Sequence, residues 1–172
     1  MKLTRRRFLG SLATSATLLL SRKADGFPAS SSKASPASRP NVIFVLADDL
    51  GWGDLSCYGR PDYRTPNLDL LASQGVRFTD AYSASAVCTP TRVGFATGRY
   101  PARVKIGLVE PLPANDRSVG LDPGHPTIAS ILKTSGYDTA LIGKWHLGFR
   151  PEWGPNAHGF DEFFGILAGA AD

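Results

Sequence analysis

The chain of 172 residues is 42% hydrophobic and 10% aromatic, the size and composition of one globular domain with a sizeable core. Its formal net charge of +4 is concentrated at the front: residues 1–39 hold eight Lys or Arg against the single acid Asp25, which leaves eleven bases against fourteen acids in the remainder. Beyond the front segment the chain is acidic, which excludes a nucleic-acid partner held by a basic surface.

In chain order, Thr4-Arg5-Arg6-Arg7-Phe8-Leu9 sets paired arginines before an apolar stretch, Leu9 to Leu20, broken by Gly, Ser and Thr. The stretch is too short to span a bilayer and has no charged face to lie against headgroups, so no stable membrane insertion is expected. It reads as a twin-arginine export signal over residues 1–26, with cleavage near Ala24 to Gly26. The Ser-, Ala- and Pro-rich residues 27–39 read as a disordered linker. The folded part is expected over residues 40–172, exported by the twin-arginine machinery to a periplasmic or extracellular location.

Asn41 to Ala47 (N-V-I-F-V-L-A) has the continuous apolar pattern of a strand buried on both faces of a parallel sheet, and it runs into Asp48-Asp49. Thr65-Pro66, apolar residues at Leu68, Leu71 and Ala72, and Gly75 predict a helix from about Pro66 to Gln74. Val76 to Ala84 alternates as a strand does. Pro90 to Thr97 reads as a helix start, with Cys88 at or just before it. Thr127 to Ser135, closed by Gly136, predicts another helix. Tyr137 to Ile142 predicts a strand that ends in Gly143-Lys144-Trp145-His146. The alternation specifies an α/β fold with a mainly parallel central sheet flanked by helices, and polar clusters follow the strand candidates, where such folds bind ligands.

Asp48 and Asp49 offer hard oxygens suited to Ca²⁺ or Mg²⁺, although an isolated acid pair is more often a solvated turn. Cys88 sits by a helix start, where backbone N–H groups and Arg92, one turn on, favour an anion. An exported chain with only Cys57 and Cys88 equally invites one disulfide, and cysteine counting alone favours it. Lys144 and His146, two apart at a strand end, would point to one side and share a site. Taken singly, each is more often a solvated lysine and a packed histidine. Trp52, Trp145 and Trp153 read as packing or pocket walls, and Arg99 and Arg103 as solvated.

The run C-T-P-T-R-V-G-F-A-T-G-R-Y-P, Cys88 to Pro101, resembles the signature of the type I sulfatases, whose core is Cys-x-Pro-x-Arg followed by a helix and Thr-Gly. Three further segments follow the family's order: R-P-N-V-I-F-V-L-A-D-D-L-G-W-G-D from Arg39, T-P-N-L-D-L-L-A-S-Q-G-V-R-F from Thr65, and G-Y-D-T-A-L-I-G-K-W-H-L-G from Gly136. H-G-F-D-E-F-F-G, His158 to Gly165, is similar to the family's next landmark. The resemblance covers about Arg39 to Gly165 and implies an alkaline-phosphatase-like α/β fold, incomplete in this chain.

The resemblance also implies the chemistry. Cys88 would be oxidised to formylglycine by a maturation enzyme, and its hydrated aldehyde would attack the sulfur of a sulfated small molecule or carbohydrate. Asp48, Asp49 and the modified Cys88 would hold one Ca²⁺. Arg92 would steady the nucleophile, Lys144 would neutralise sulfate charge, and His146 would bind the diol and assist sulfate release. Further metal ligands, a second Lys and a second His belong to segments after G-K-W-H-x-G in the family. The chain therefore reads as a partial gene product, the activity of the piece alone being left open. The alternatives are a phosphonate or phosphate monoester hydrolase of the same superfamily, and a non-catalytic remnant with unmodified Cys88.

Overall fold

The computed structural model describes residues 39–170, so the expected export signal, and the linker apart from Arg39, lie outside the described residues. The chain divides into two units, Met1–Val45 and Leu46–Asp172. Residues 39–45 of the first carry no strand, and Ile43 and Val45 are 87% and 84% exposed. The strand expected over Asn41 to Ala47 is therefore absent. β-Branched composition sets a preference, but a strand forms only where a neighbour takes its backbone groups, and the sheet of the described residues has two strands bonded to each other.

In the second unit, helices α1 (Pro66–Gln74), α2 (Cys88–Thr97) and α3 (Ile128–Thr134) precede the strands β1 (Ala140–Lys144) and β2 (Glu162–Ile166), with short 3-10 turns between them. Helix α1 starts at proline, whose missing N–H costs nothing in the first turn. The preceding Thr65 does not cap the helix with its side chain; its hydroxyl donates to Asp69 Oδ1 at 3.0 Å, while Ser56 Oγ donates to Asp69 Oδ2 at 2.5 Å. These bonds, that from Ser56 foremost, hold the Asp69 carboxyl below its ordinary pKa.

The second expected strand, Val76 to Ala84, is also absent: the segment is irregular, with Val76 80% and Tyr82 89% exposed. Side-chain bonds replace a ladder here, for Tyr58 donates its hydroxyl to the Phe78 carbonyl at 2.8 Å and the Arg77 guanidinium donates to the Cys57 carbonyl. Alternation without a partner strand does not make a sheet.

β1 and β2 pair in parallel, with Ala140 opposite Glu162 and Lys144 opposite Ile166. A parallel pair needs a crossover, supplied by residues 145–161. The strand expected over Tyr137 to Ile142 lies later, at Ala140–Lys144, because Tyr137 N–H bonds the Leu132 carbonyl at the helix exit and the Thr139 carbonyl takes Asp161 N–H at 2.8 Å. Glycines face each other at Gly143 and Gly165, where a Cβ on Gly165 would stand 1.8 Å from the Gly143 carbonyl oxygen.

The core lies around α2. Thr89, Val93 and Ala96 recur at helical spacing on its buried face, and Val93 joins Val104, Ile106, Leu112, Leu121, Trp145 and Leu147 in one apolar cluster. Each fully buried aliphatic side chain contributes about 1.5–3 kcal/mol. Trp145 packs as expected, 3% exposed, with its indole N–H on the Trp153 carbonyl at 2.8 Å. Trp153 is half-buried and lines a cleft with Lys105, Asp122 and His125. Trp52 is 61% exposed and packs one side against the Tyr58 ring, the centroids 5.1 Å apart. Arg99 and Arg103 are exposed. No helix among the described residues is long and apolar enough to cross a membrane.

Candidate active site

Asp48 and Asp49 lie on a turn, with Asp49 in the left-handed region at φ 57°, a conformation that Asp tolerates better than most residues. Gly51 N–H bonds Asp54 Oδ2 at 2.7 Å and the 3-10 turn Trp52–Asp54 follows, so the loop closes on itself and leaves both carboxylates exposed.

Two cations converge on Asp48. Lys144 Nζ, from the last residue of β1, donates to Oδ2 at 2.6 Å, and Arg92 Nη2, from α2, donates to Oδ1 at 3.2 Å. Arg92 Nη1 also donates to the Lys144 carbonyl at 2.6 Å, so the guanidinium fork joins α2 to the end of β1. The two cationic side chains are nearly buried, 11% and 12% exposed, while the Asp48 side chain is 43% exposed. The hydrogen bond from Lys144 is the main cause that holds the Asp48 carboxyl below its ordinary pKa; partial burial opposes it and Arg92 adds to it.

His146 lies just past the strand with φ 57°, so the alternation of a strand does not set its direction. Trp145 N–H and His146 N–H bond the carbonyls of Ile166 and Leu167, and the imidazole turns inward, 2% exposed. Its Nε2 faces the Leu112 carbonyl at 2.8 Å. A carbonyl only accepts, so Nε2 carries the proton, and Nδ1 is buried without a hydrogen-bond partner. Burial pushes the imidazole pKa down, as do the charges of Lys144 and Arg92; the Leu112 carbonyl and Asp48 oppose them.

Cys88 is the first residue of α2, half-buried, with a free thiol; Cys57 is likewise half-buried and free, so the disulfide favoured by cysteine counting is absent. The structure thus brings Asp48, Arg92 and Lys144 into direct contact and sets Cys88 one turn before Arg92 on the same helix. Asp49 takes part in no ion pair among the described residues. As hard oxygen donors Asp48 and Asp49 suit Ca²⁺ in kind but not in number: no three His, Cys, Asp or Glu side chains among the described residues converge as metal ligands. They can serve only as part of a larger donor set.

Sequence reasoning missed Thr89 and Leu112. Thr89 is fully buried; its hydroxyl accepts Leu112 N–H at 2.9 Å and lies 3.3 Å from the His146 carbonyl. A small polar residue on an apolar helix face was the available signal for Thr89. Leu112 contributes only through its backbone, which leaves no mark in the sequence.

Comparison with known proteins adds the family context. The family model described as Sulfatase matches residues 40–172. Mouse steryl-sulfatase is 48% identical over 143 residues, which cover 77% of this chain and 23% of that protein. The N-acetylgalactosamine-6-O-sulfatase of Bacteroides thetaiotaomicron is 46% identical over 143 residues, covering 77% of this chain and 27% of its own length. The chain thus spans about a quarter of the length of these curated relatives. Among solved structures, the crystal structure of Ps i-CgsB superposes with a TM-score of 0.70 at 41% identity, covering 76% of this chain and 28% of that one. The parallel α/β arrangement expected from the sequence is shared with these neighbours.

Proposed function

The chain belongs to the sulfatase family, and on that premise we propose that the protein hydrolyses sulfate esters of an aryl compound or a carbohydrate. The observation that carries the reading is the convergence of Arg92 and Lys144 on Asp48, with Cys88 at the head of the helix that bears Arg92. A sulfate ester hides its electrophilic sulfur behind anionic oxygens, so the attacking group needs positive charge fixed beside it before reaction. Two nearly buried cations, both paired with Asp48 and one of them, Arg92, also bonded to the Lys144 carbonyl, support that reading. Cys88, oxidised by a separate maturation enzyme, would supply as formylglycine hydrate the hydroxyl that attacks sulfur as the S–O bond to the departing alcohol breaks. Loss of the proton from the second hydroxyl would then expel sulfate and restore the aldehyde. Asp48 and Asp49 would contribute two ligands to a Ca²⁺ ion, whose charge would polarise the sulfuryl oxygens. Lys144 is assigned to the sulfate oxygens, Arg92 to the nucleophile at position 88, and neutral His146 to proton transfer through its unpartnered Nδ1.

The arginines at 5–7 ahead of an apolar stretch support export by the twin-arginine machinery to the periplasm or beyond. The test is turnover by protein purified from its native host on matched aryl sulfate and aryl phosphonate. The sulfate is expected to be the better substrate, Cys88→Ala to abolish turnover, and Lys144→Ala to lower kcat by about 10²–10³. Preference for the phosphonate, or turnover indifferent to Cys88→Ala, would overturn the assignment.

A further inference from the structure

We propose that Thr89 is a positioning residue that fixes the tautomer and direction of His146 through the Leu112 peptide. Its hydroxyl occupies the otherwise apolar buried face of α2 with Val93 and Ala96, where a hydroxyl without hydrogen-bond partners is destabilising. Both halves of its hydrogen-bonding capacity are used: it accepts the Leu112 N–H at 2.9 Å and donates to the His146 carbonyl at 3.3 Å. The Leu112 peptide is held at both ends in turn, its N–H by Thr89 and its carbonyl by His146 Nε2–H at 2.8 Å.

Thr89, Leu112 and His146 therefore form a closed triangle, in which two bonds act on His146, one at its backbone and one at its ring. Gly169 leaves room for the ring where it lies, for a Cβ there would stand 2.8 Å from Cε1 and 3.0 Å from Nε2. The backbone of His146, at φ 57°, is held in a conformation that a free histidine seldom adopts. The outcome is a neutral ring with hydrogen on Nε2 and a buried lone pair on Nδ1, the arrangement that an acceptor of a hydroxyl proton requires. Without the Thr89 hydroxyl, Leu112 N–H and the His146 carbonyl lose their partner, and the peptide that selects the tautomer is released. Only the kinetic consequence of this proposal rests on the sulfatase reading.

The experiment uses the full chain labelled with nitrogen-15 histidine, the His146 signals being assigned with His146→Gln. Ring nitrogen shifts are measured in wild type, Thr89→Ser and Thr89→Val. Wild type and the serine variant are expected to show the Nε2–H tautomer. The valine variant, of the same shape without the hydroxyl, is expected to show a mixture of tautomers and a kcat lower by at least about tenfold, with KM changed less than about threefold. A valine variant that keeps the tautomer and kcat would overturn the proposal, as would a serine variant that loses them. If the valine variant does not fold, the serine variant decides: retention of the tautomer supports the role of the hydroxyl and its loss contradicts it. If wild type turns over no sulfate ester, the tautomer readout still decides on Thr89, and the failure falls on the proposed activity alone.

Discussion

Arg92 shows at the scale of one residue why geometry matters beyond charge. Its two terminal nitrogens serve different partners, the Lys144 carbonyl and the Asp48 carboxylate, and this fork ties α2 to the end of β1. Lysine carries the same charge on a single nitrogen, whose donors cannot span the two partners as the planar guanidinium fork does. Arg92→Lys is therefore expected to leave one partner unbonded and to lower stability by about 1–3 kcal/mol, measured by denaturant unfolding. Stability equal to wild type would show that the second bond contributes nothing. The sequence made Arg92, Cys88, Asp48 and Lys144 legible because each is a side chain with chemistry of its own. It left out the Thr89–Leu112 link, in which one partner is a main-chain amide. It also placed Lys144 and His146 by strand alternation, whereas the backbone of His146 is left-handed and only the fold sets its direction.

Among the elements, the junction of α3, β1 and β2 turns on Asp161. Its Oδ1 takes Lys133 Nζ from α3 at 2.5 Å, and its Oδ2 takes the N–H and hydroxyl of Thr139 at 3.0 and 2.8 Å, just before β1. The hydrogen bond from Lys133, followed by those from Thr139, lowers the Asp161 pKa to about 2. Because the folded pKa lies below the unfolded one, the stability this carboxylate contributes is present above the ordinary Asp value of about 3.9. It is lost as pH falls from there through about 2. Asp161→Asn should therefore melt below wild type at neutral pH, with the difference closing across that acid window; a difference independent of pH would assign it to packing instead. The helices were legible because proline, glycine and apolar spacing are local signals, and α1 matches its expected bounds. The strands were not, since strand existence depends on a neighbour: Asn41 to Ala47 and Val76 to Ala84 have strand composition without a ladder. β2, whose Phe163, Phe164 and Ile166 lie among a family landmark and its continuation, emerged only through its pairing with β1.

For the molecule as a whole, the described residues bring together two cations paired with one carboxylate, and carry besides them a second carboxylate, a buried histidine with an unpartnered Nδ1, and a thiol at the head of a core helix. Ile142 and Phe164, opposite each other in the sheet, are 73% and 76% exposed, so the β1–β2 pair carries an apolar patch on one face. The composition beyond residue 39 argues against a nucleic-acid partner held by a basic surface, and family motifs over Arg39 to Gly165 supplied what composition could not. All of the proposed chemistry depends on what becomes of Cys88 in the cell. The most direct measurement is the mass of the tryptic peptide Phe78 to Arg92 from protein made in its native host. The account predicts an aldehyde in place of the Cys88 thiol; an unmodified thiol in a host whose maturation enzyme is active would contradict it.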